Sequence, residues 1–166
     1  MASVTLVIWS ITALIGFYMF TVSIGIGRPV GEPANTHWPS WLVFLHPTLA
    51  VTGLGVWIVY LSYPEHWLTW TAFALLLLVA GLGDVMLTTW VKDRRAIAKA
   101  DSDGVKHVKN HVPRPQQGRV QAPAPETVPV TDLEERRIPL IAVATHGLLA
   151  VVTILLVFLH AIGVFG

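Results

Sequence analysis

The chain has 166 residues, 54% of them hydrophobic, and a mean hydropathy of +0.62, which is too apolar for a soluble domain of that size. It contains no cysteine, and this excludes disulfides, iron–sulfur clusters and thiolate ligation of haem or zinc. The formal net charge is +1, and no basic patch is interleaved with aromatic residues, so the composition does not indicate nucleic-acid binding.

Four apolar segments are each long enough to cross a membrane as a helix, which takes roughly 20 residues for about 30 Å of hydrocarbon. Their polarity does not alternate as it does in barrel strands, so helices are predicted. The first segment lacks a basic leading region and exceeds the apolar core of a secretory signal, so we expect a retained span. The segments are Val4–Ile26, Trp41–Tyr63, Leu68–Val91 and Ile138–Val164.

The connections between these segments differ in character. The turn Tyr63–Trp67 is short and makes the second and third spans antiparallel neighbours. After the third span, Val91–Lys99 continues the helix into water with basic residues. Residues 101–130 are rich in proline, glutamine and alanine, which predicts an extended linker without a core of its own.

The predicted fold is an all-α, integral-membrane four-helix bundle. Residues 1–100 form the first three spans with a helical extension, residues 101–137 a proline-rich linker, and residues 138–166 the last span. All 11 Lys and Arg residues fall on one side of the membrane: Arg28 precedes the second span, and the other ten lie in the connection between the third and fourth spans. The positive-inside rule makes that side cytoplasmic, with both chain ends outside.

Three ionisable residues on different spans lie at similar depth. At a rise of about 1.5 Å per residue, His46, Asp84 and His146 come roughly 8–12 Å below the cytoplasmic surface of the membrane. Ionisable groups inside spans are rare, and each is a functional hypothesis by default. The plainer alternative for a histidine is an interhelical hydrogen bond, and for Asp84 it is a protonated carboxyl bonded to Thr88 or a neighbouring hydroxyl.

The fourth span carries a second histidine. His146 and His160 are 14 residues apart, close to four helical turns, so they share a face at a separation of about 21 Å. The residues between them on that face are not large, which leaves room for something flat and wide between helices. They are Ala150, Thr153 and Val157.

Paired histidines on facing spans, with a 14-residue spacing along one of them, resemble the b-type cytochromes, namely the cytochrome b and cytochrome b561-like families. The resemblance implies that His46 and His146 ligate one haem b near the cytoplasmic face. His160 matches the ligand position of a second haem toward the outer face. The residue 14 positions beyond His46 is Tyr60, so the second haem would need His66 in the outer turn.

The chemistry of a low-spin haem agrees with this pattern, because two neutral imidazoles ligate iron without adding charge in lipid. The haem propionates need cations, and Arg28, Arg136 and Arg137 lie at the cytoplasmic edge. Asp84 is expected to accept the Nδ1–H of a ligand histidine, or to take a proton at a quinone pocket.

These features predict a haem b electron-transfer subunit within a larger respiratory or photosynthetic complex, with lipid, other membrane subunits and a quinone as partners. Little of the chain lies outside the membrane, so we expect no substrate domain and no reaction besides electron transfer. The first alternative is a non-catalytic accessory or assembly subunit, whose polar residues bond to partner helices. The second is a small proton-coupled transporter that uses Asp84 and the histidines as a relay.

Overall fold

The computed structural model describes residues 1–27, 38–110 and 137–165. Within those ranges the chain forms helices and turns without strands, and each of the four long helices is long and apolar enough to cross a membrane. For the described residues the prediction of an all-α chain is therefore confirmed, as is the prediction of four helices that are long and apolar enough to span a membrane. The helices are α1 Ala2–Ser23, α2 Ser40–Ser62, α3 His66–Asn110 and α4 Leu140–Ala161.

The four helices pack in a ring. Helix α1 lies between α2 and α4, and α3 lies between the same two helices on the opposite side. As predicted, the short turn after α2 makes α2 and α3 neighbours. Helices α2 and α4 consequently face each other diagonally across the bundle axis, so residues on their inner faces can meet there.

Helices α1 and α4 end in the same type of C-terminal cap, which uses a glycine. After α1, Gly25 takes a φ of 80° and its N–H donates to the Val22 carbonyl, while the Ile26 N–H donates to the Thr21 carbonyl. After α4, Gly163 takes a φ of 77° and repeats this hydrogen-bond pattern. This arrangement satisfies the last carbonyls of a helix and needs a residue without a Cβ at the left-handed position.

Two buried clusters divide the interior of the bundle along its axis. One cluster contains Trp9, Trp57, Ala72, Leu76 and Val157. The other lies toward the α3 extension and contains Trp38, Val43, Trp90 and Ile138. His46 is one turn beyond Val43 on α2, so the layer between the two clusters contains His46 and the His146 ring that faces it.

Helix α3 is longer than the span predicted from the sequence. It runs to Asn110, ten residues into the segment that the sequence assigned to the linker. The backbone can continue as a helix there because the first proline after α3 begins is Pro113. The rest of the predicted linker through residue 136, and also Arg28, lie outside the described residues.

Candidate functional site

The imidazole rings of His46 and His146 face each other inside the bundle. Their ring centroids are 6.4 Å apart, with an angle of 56° between the ring planes. His46 is on α2 and His146 is on α4, the two helices that lie diagonally across the axis. The structure thus brings together the two residues that the sequence placed at equal depth.

A backbone hydrogen bond fixes the orientation of the His146 ring. Its Nδ1 lies 3.0 Å from the carbonyl oxygen of Thr12 on α1. A carbonyl only accepts hydrogen bonds, so Nδ1 carries the hydrogen and Nε2 keeps its lone pair. Metal-ligating histidines use their second nitrogen in this way, which sets the tautomer and makes the free nitrogen a better donor to a metal.

The His46 ring has an unsatisfied nitrogen. Its Nδ1 is buried, and it has no hydrogen-bond partner in the part of the chain that the structure describes. The Val79 backbone on α3 interacts with this ring, but the contact does not meet hydrogen-bond geometry. A buried polar nitrogen without a hydrogen-bond partner raises the free energy of the folded protein. A ligand that bonds to this nitrogen would remove that cost.

Two glycines allow the neighbouring helices to approach the histidines. A Cβ added to Gly16 on α1 would lie 2.8 Å from Cε1 of His146. A Cβ added to Gly83 on α3 would lie 3.2 Å from Cε1 of His46. An alanine at either position would therefore crowd the imidazole beside it, more severely at Gly16 than at Gly83.

The spacing of the two rings suits a single metal centre between them. Two metal–nitrogen bonds of about 2 Å each, plus the distance from each nitrogen to its ring centre, separate the ring centres by roughly 6 Å. Among the described residues, no group of three or more His, Cys, Asp or Glu side chains could hold a metal ion. Two imidazoles are too few for a closed zinc site, whereas a haem brings four nitrogen donors of its own.

The outer histidines are not brought together. His160 is buried, and its Nδ1 donates to the Leu156 carbonyl one turn earlier at 2.8 Å. His66 is exposed, and its Nε2 accepts a hydrogen bond from the Trp70 indole at 3.0 Å. The contacts of both rings are with other residues: His160 packs against Trp57, Tyr60 and Phe165.

The layer between the histidine pair and His160 is filled by aromatic rings. Trp57 is fully buried and Trp9 is 2% exposed, and their ring centroids are 6.3 Å apart. Trp9 also packs on Gly53, where an added Cβ would lie 3.1 Å from its Cζ2. The predicted inner face of α4 agrees with this packing, since Thr153 and Val157 are both buried.

Asp84 does not join the histidines, contrary to the expectation from the sequence. It is exposed on the outer surface of α3, although the adjacent Gly83 contacts His46. The hydroxyl of Thr88, the alternative partner, donates to the Val85 carbonyl instead. The sequence placed Asp84 in the layer of His46, and the adjacent Gly83 does lie there, but the direction of the Asp84 side chain was not predicted, because α3 is apolar on every side in this region.

One buried cation, further along α3 toward its extension, was not singled out in the sequence. Arg94 donates from Nη2 to the carbonyl of Ile138 at 2.9 Å, and its guanidinium lies 4.4 Å from the Trp90 ring centre. Its Nε is buried without a partner among the described residues. The i, i+4 spacing of Trp90 and Arg94 was the available signal, since it places both on one helical face. Of the predicted propionate partners, Arg137 is exposed and Arg136 lies outside the described residues.

A shallow apolar groove of about 390 Å³ opens on the outer surface between α1 and α4. Thr145, the residue before His146, is part of its wall. The groove is therefore adjacent to the layer of the histidine pair and opens on the outer surface of the bundle. Its lining consists of Leu14, Ile15, Tyr18, Ile141, Ala142 and Thr145.

Comparisons with models of protein families, with curated proteins and with solved structures find no match for this chain.

Proposed function

We propose that this protein is a membrane cytochrome that binds one haem b between His46 and His146 and transfers electrons within a larger respiratory or photosynthetic complex. The observation that carries the proposal is that these two imidazoles, which belong to diagonally opposed helices, have ring centroids 6.4 Å apart. When bound, a haem supplies the one-electron redox chemistry. The protein supplies two neutral nitrogen donors in a low-dielectric layer, which suits a low-spin iron.

Each residue of the pair contributes a distinct feature. His146 presents Nε2, because its Nδ1–H is held by the Thr12 carbonyl. His46 presents its ring from the diagonally opposed helix, with its Nδ1 beside Gly83 of α3. Gly16 and Gly83 keep the flanking helices from displacing either ring. All of these residues lie on transmembrane helices rather than loops, so the ligand geometry is preset by the bundle.

The proposal specifies one haem rather than two. A second haem would need His66 and His160, but the His66 Nε2 accepts a hydrogen bond from Trp70, and the His160 ring packs against aromatic rings rather than against His66. The layer above the first pair is filled by Trp9 and Trp57. These contacts favour a structural role for His160 in the aromatic cluster.

The haem propionates would be directed toward the end of the bundle where Arg94 lies. Its Nε is buried without a partner, and a carboxylate is the natural acceptor for a guanidinium. Arg28, Arg136 and Arg137 remain further candidates from the sequence. This end would face the cytoplasm, because it is the side on which all 11 Lys and Arg residues gather.

A membrane quinone is the electron partner that the surface supports. The groove between α1 and α4 is apolar and open to lipid, and it adjoins the layer of His146. A lipid-soluble carrier could reach this position laterally, whereas a soluble one would have to cross the head-group region. Tyr18 and Thr145 are the residues lining the groove whose hydroxyls could bond a quinone oxygen.

The test is haem retention in single histidine variants purified in detergent. The wild type should be red, with a sharp α-band in the reduced-minus-oxidised spectrum. His46→Ala and His146→Ala should each lose that band, while His160→Ala and His66→Ala, the matched controls, should keep it. A colourless protein that co-purifies stoichiometrically with larger subunits would instead support the accessory role.

A further inference from the structure

Asp84 is a carboxyl group that faces away from its own bundle at membrane depth. It is the only charged residue between Leu68 and Val91, and the other three predicted spans contain none. About 12 Å of helix separates it from Lys92, where the basic extension begins. Its side chain is exposed, and it makes no hydrogen bond or ion pair with any described residue. A carboxylate left facing hydrocarbon is strongly disfavoured, so Asp84 needs a partner from outside this chain's bundle.

The outer face of α3 around Asp84 follows a regular pattern. Six residues at alternating spacings of four and three all lie on the exposed side of the helix. This spacing is the heptad pattern by which two helices pack at a small left-handed crossing angle. We call these residues the α3 outer stripe: Trp70, Ala74, Leu77, Gly81, Asp84 and Thr88.

Gly81 gives this stripe a point of close approach. It lies one turn before Asp84, and a Cβ added there would meet nothing within 4 Å. Unlike Gly16 and Gly83, it is not needed to accommodate a neighbour within the bundle. Small residues on an outer face allow the backbone of another transmembrane helix to come near, and a polar residue beside them then finds a partner.

We propose that the α3 outer stripe binds the same stripe of a second copy of this chain, in a parallel dimer where the two Asp84 carboxyls hydrogen-bond to each other. A twofold axis along the membrane normal sets each residue against its own counterpart. A protonated carboxyl carries one donor and one acceptor, so two of them satisfy each other fully. The pair is neutral, which removes the charge from the hydrocarbon.

A second copy fits this stripe better than a different chain, because its Asp84 lies at the same depth in the membrane. All copies insert with one orientation, so Asp84 meets Asp84 at equal height without further requirement. A different subunit would need its own polar group at that height. Among the described residues of the four spans no other charged side chain faces outward, so a second Asp84 is the one carboxyl that this chain can offer at that height.

Cysteine crosslinking in liposomes tests the geometry directly, because the native chain has no cysteine. With a mild oxidant, Leu77→Cys on the stripe should form a disulfide between copies in most molecules. Val51→Cys on the outer face of α2 and Leu155→Cys on that of α4 have comparable exposure and should stay monomeric. Equal crosslinking at all three positions, or none at Leu77→Cys, would overturn the proposal.

Substitution variants test the chemistry at the stripe. Measured by fluorescence energy transfer in liposomes at varied protein-to-lipid ratio, Asp84→Leu should weaken dimerisation on the order of tenfold. Asp84→Asn keeps a donor and an acceptor and should retain most of it. Gly81→Leu should block close approach, whereas Gly55→Leu, at an equally open exposed glycine on α2, should not.

Folding failure does not confuse this test, since leucine at a lipid-facing position favours membrane insertion. A wild type that is monomeric at every ratio would contradict the dimer. So would a dimer insensitive to both Asp84→Leu and Gly81→Leu, because another face or another subunit would then be the partner. The inference is independent of haem, so either proposal can fail alone.

Discussion

At the scale of single residues, the site depends on two glycines that lie beside the histidine rings. Gly16 and Gly83 have no Cβ, and the imidazoles of His146 and His46 occupy the space that results. The His146 ring cannot move aside freely, because its Nδ1 is bonded to the Thr12 carbonyl. The two glycines therefore contribute to the geometry of the site together with the histidines.

Gly16→Ala should displace the His146 ring from its contact with Thr12, since the new Cβ would lie 2.8 Å from Cε1. We expect overpacking of this kind to destabilise the bundle by roughly 1–3 kcal/mol and to reduce the amount of bound haem. Unfolding by titration with a denaturing detergent, followed by absorbance and circular dichroism, measures both effects.

The control for this change is Gly55→Ala, at an exposed glycine of α2 where an added Cβ meets nothing within 4 Å. It should be neutral or stabilise the helix by up to about 1 kcal/mol, since alanine is the better helix former. Equal behaviour of the two variants would show that the space at Gly16 does not matter for the His146 ring.

At the scale of the helices, the aromatic layer holds the bundle together above the histidine pair. Trp57 on α2 is fully buried and contacts Trp9, Tyr60 and His160, which belong to α1, α2 and α4. Its indole N–H also donates to the Ala2 carbonyl at 3.3 Å, which ties the start of α1 to α2. One side chain thus connects three of the four helices.

Trp57→Ala should destabilise the protein by about 3 kcal/mol, because the cavity that it leaves is lined by helices that cannot close over it. In a membrane the loss is one of packing rather than of transfer from water. The measurement is the unfolding free energy in detergent. Trp41→Ala, at a tryptophan that is 60% exposed, is the matched control and should change it little. Similar losses in both would contradict a special role for the aromatic layer.

The positions of the helices could be predicted from the sequence where they depend on the length of an apolar segment. The level of a residue along its helix could also be predicted. Four spans follow from hydropathy, and the equal depth of His46 and His146 follows from counting residues along helices. Direction around a helix was predictable only where small residues marked an inner face, as on α4. On α3 the side chains are apolar all round, so Asp84 could not be assigned outward. The role of Gly16 was also missed, since a glycine in an apolar span carries no signal of its neighbour.

At the scale of the whole molecule, charge sets the expected orientation in the membrane. The exposed turn at Tyr63 lies at the end of the bundle without Lys or Arg, and the α3 extension with Lys99 lies at the other. Single cysteines introduced by Tyr63→Cys and Lys99→Cys would report each end separately. A membrane-impermeant maleimide should label the first only from the outer side and the second only from the cytoplasmic side. The reverse labelling pattern would contradict the positive-inside assignment.

The central claim is that one iron atom is held between His46 and His146, and the number of haems per chain tests it most directly. We expect the pyridine haemochrome assay on the purified wild-type protein to give one haem b per chain. The oxidised protein should show the electron paramagnetic resonance signal of a low-spin haem with two imidazole ligands. A preparation without haem from cells that have ample supply, or one with two haems per chain, would contradict the account.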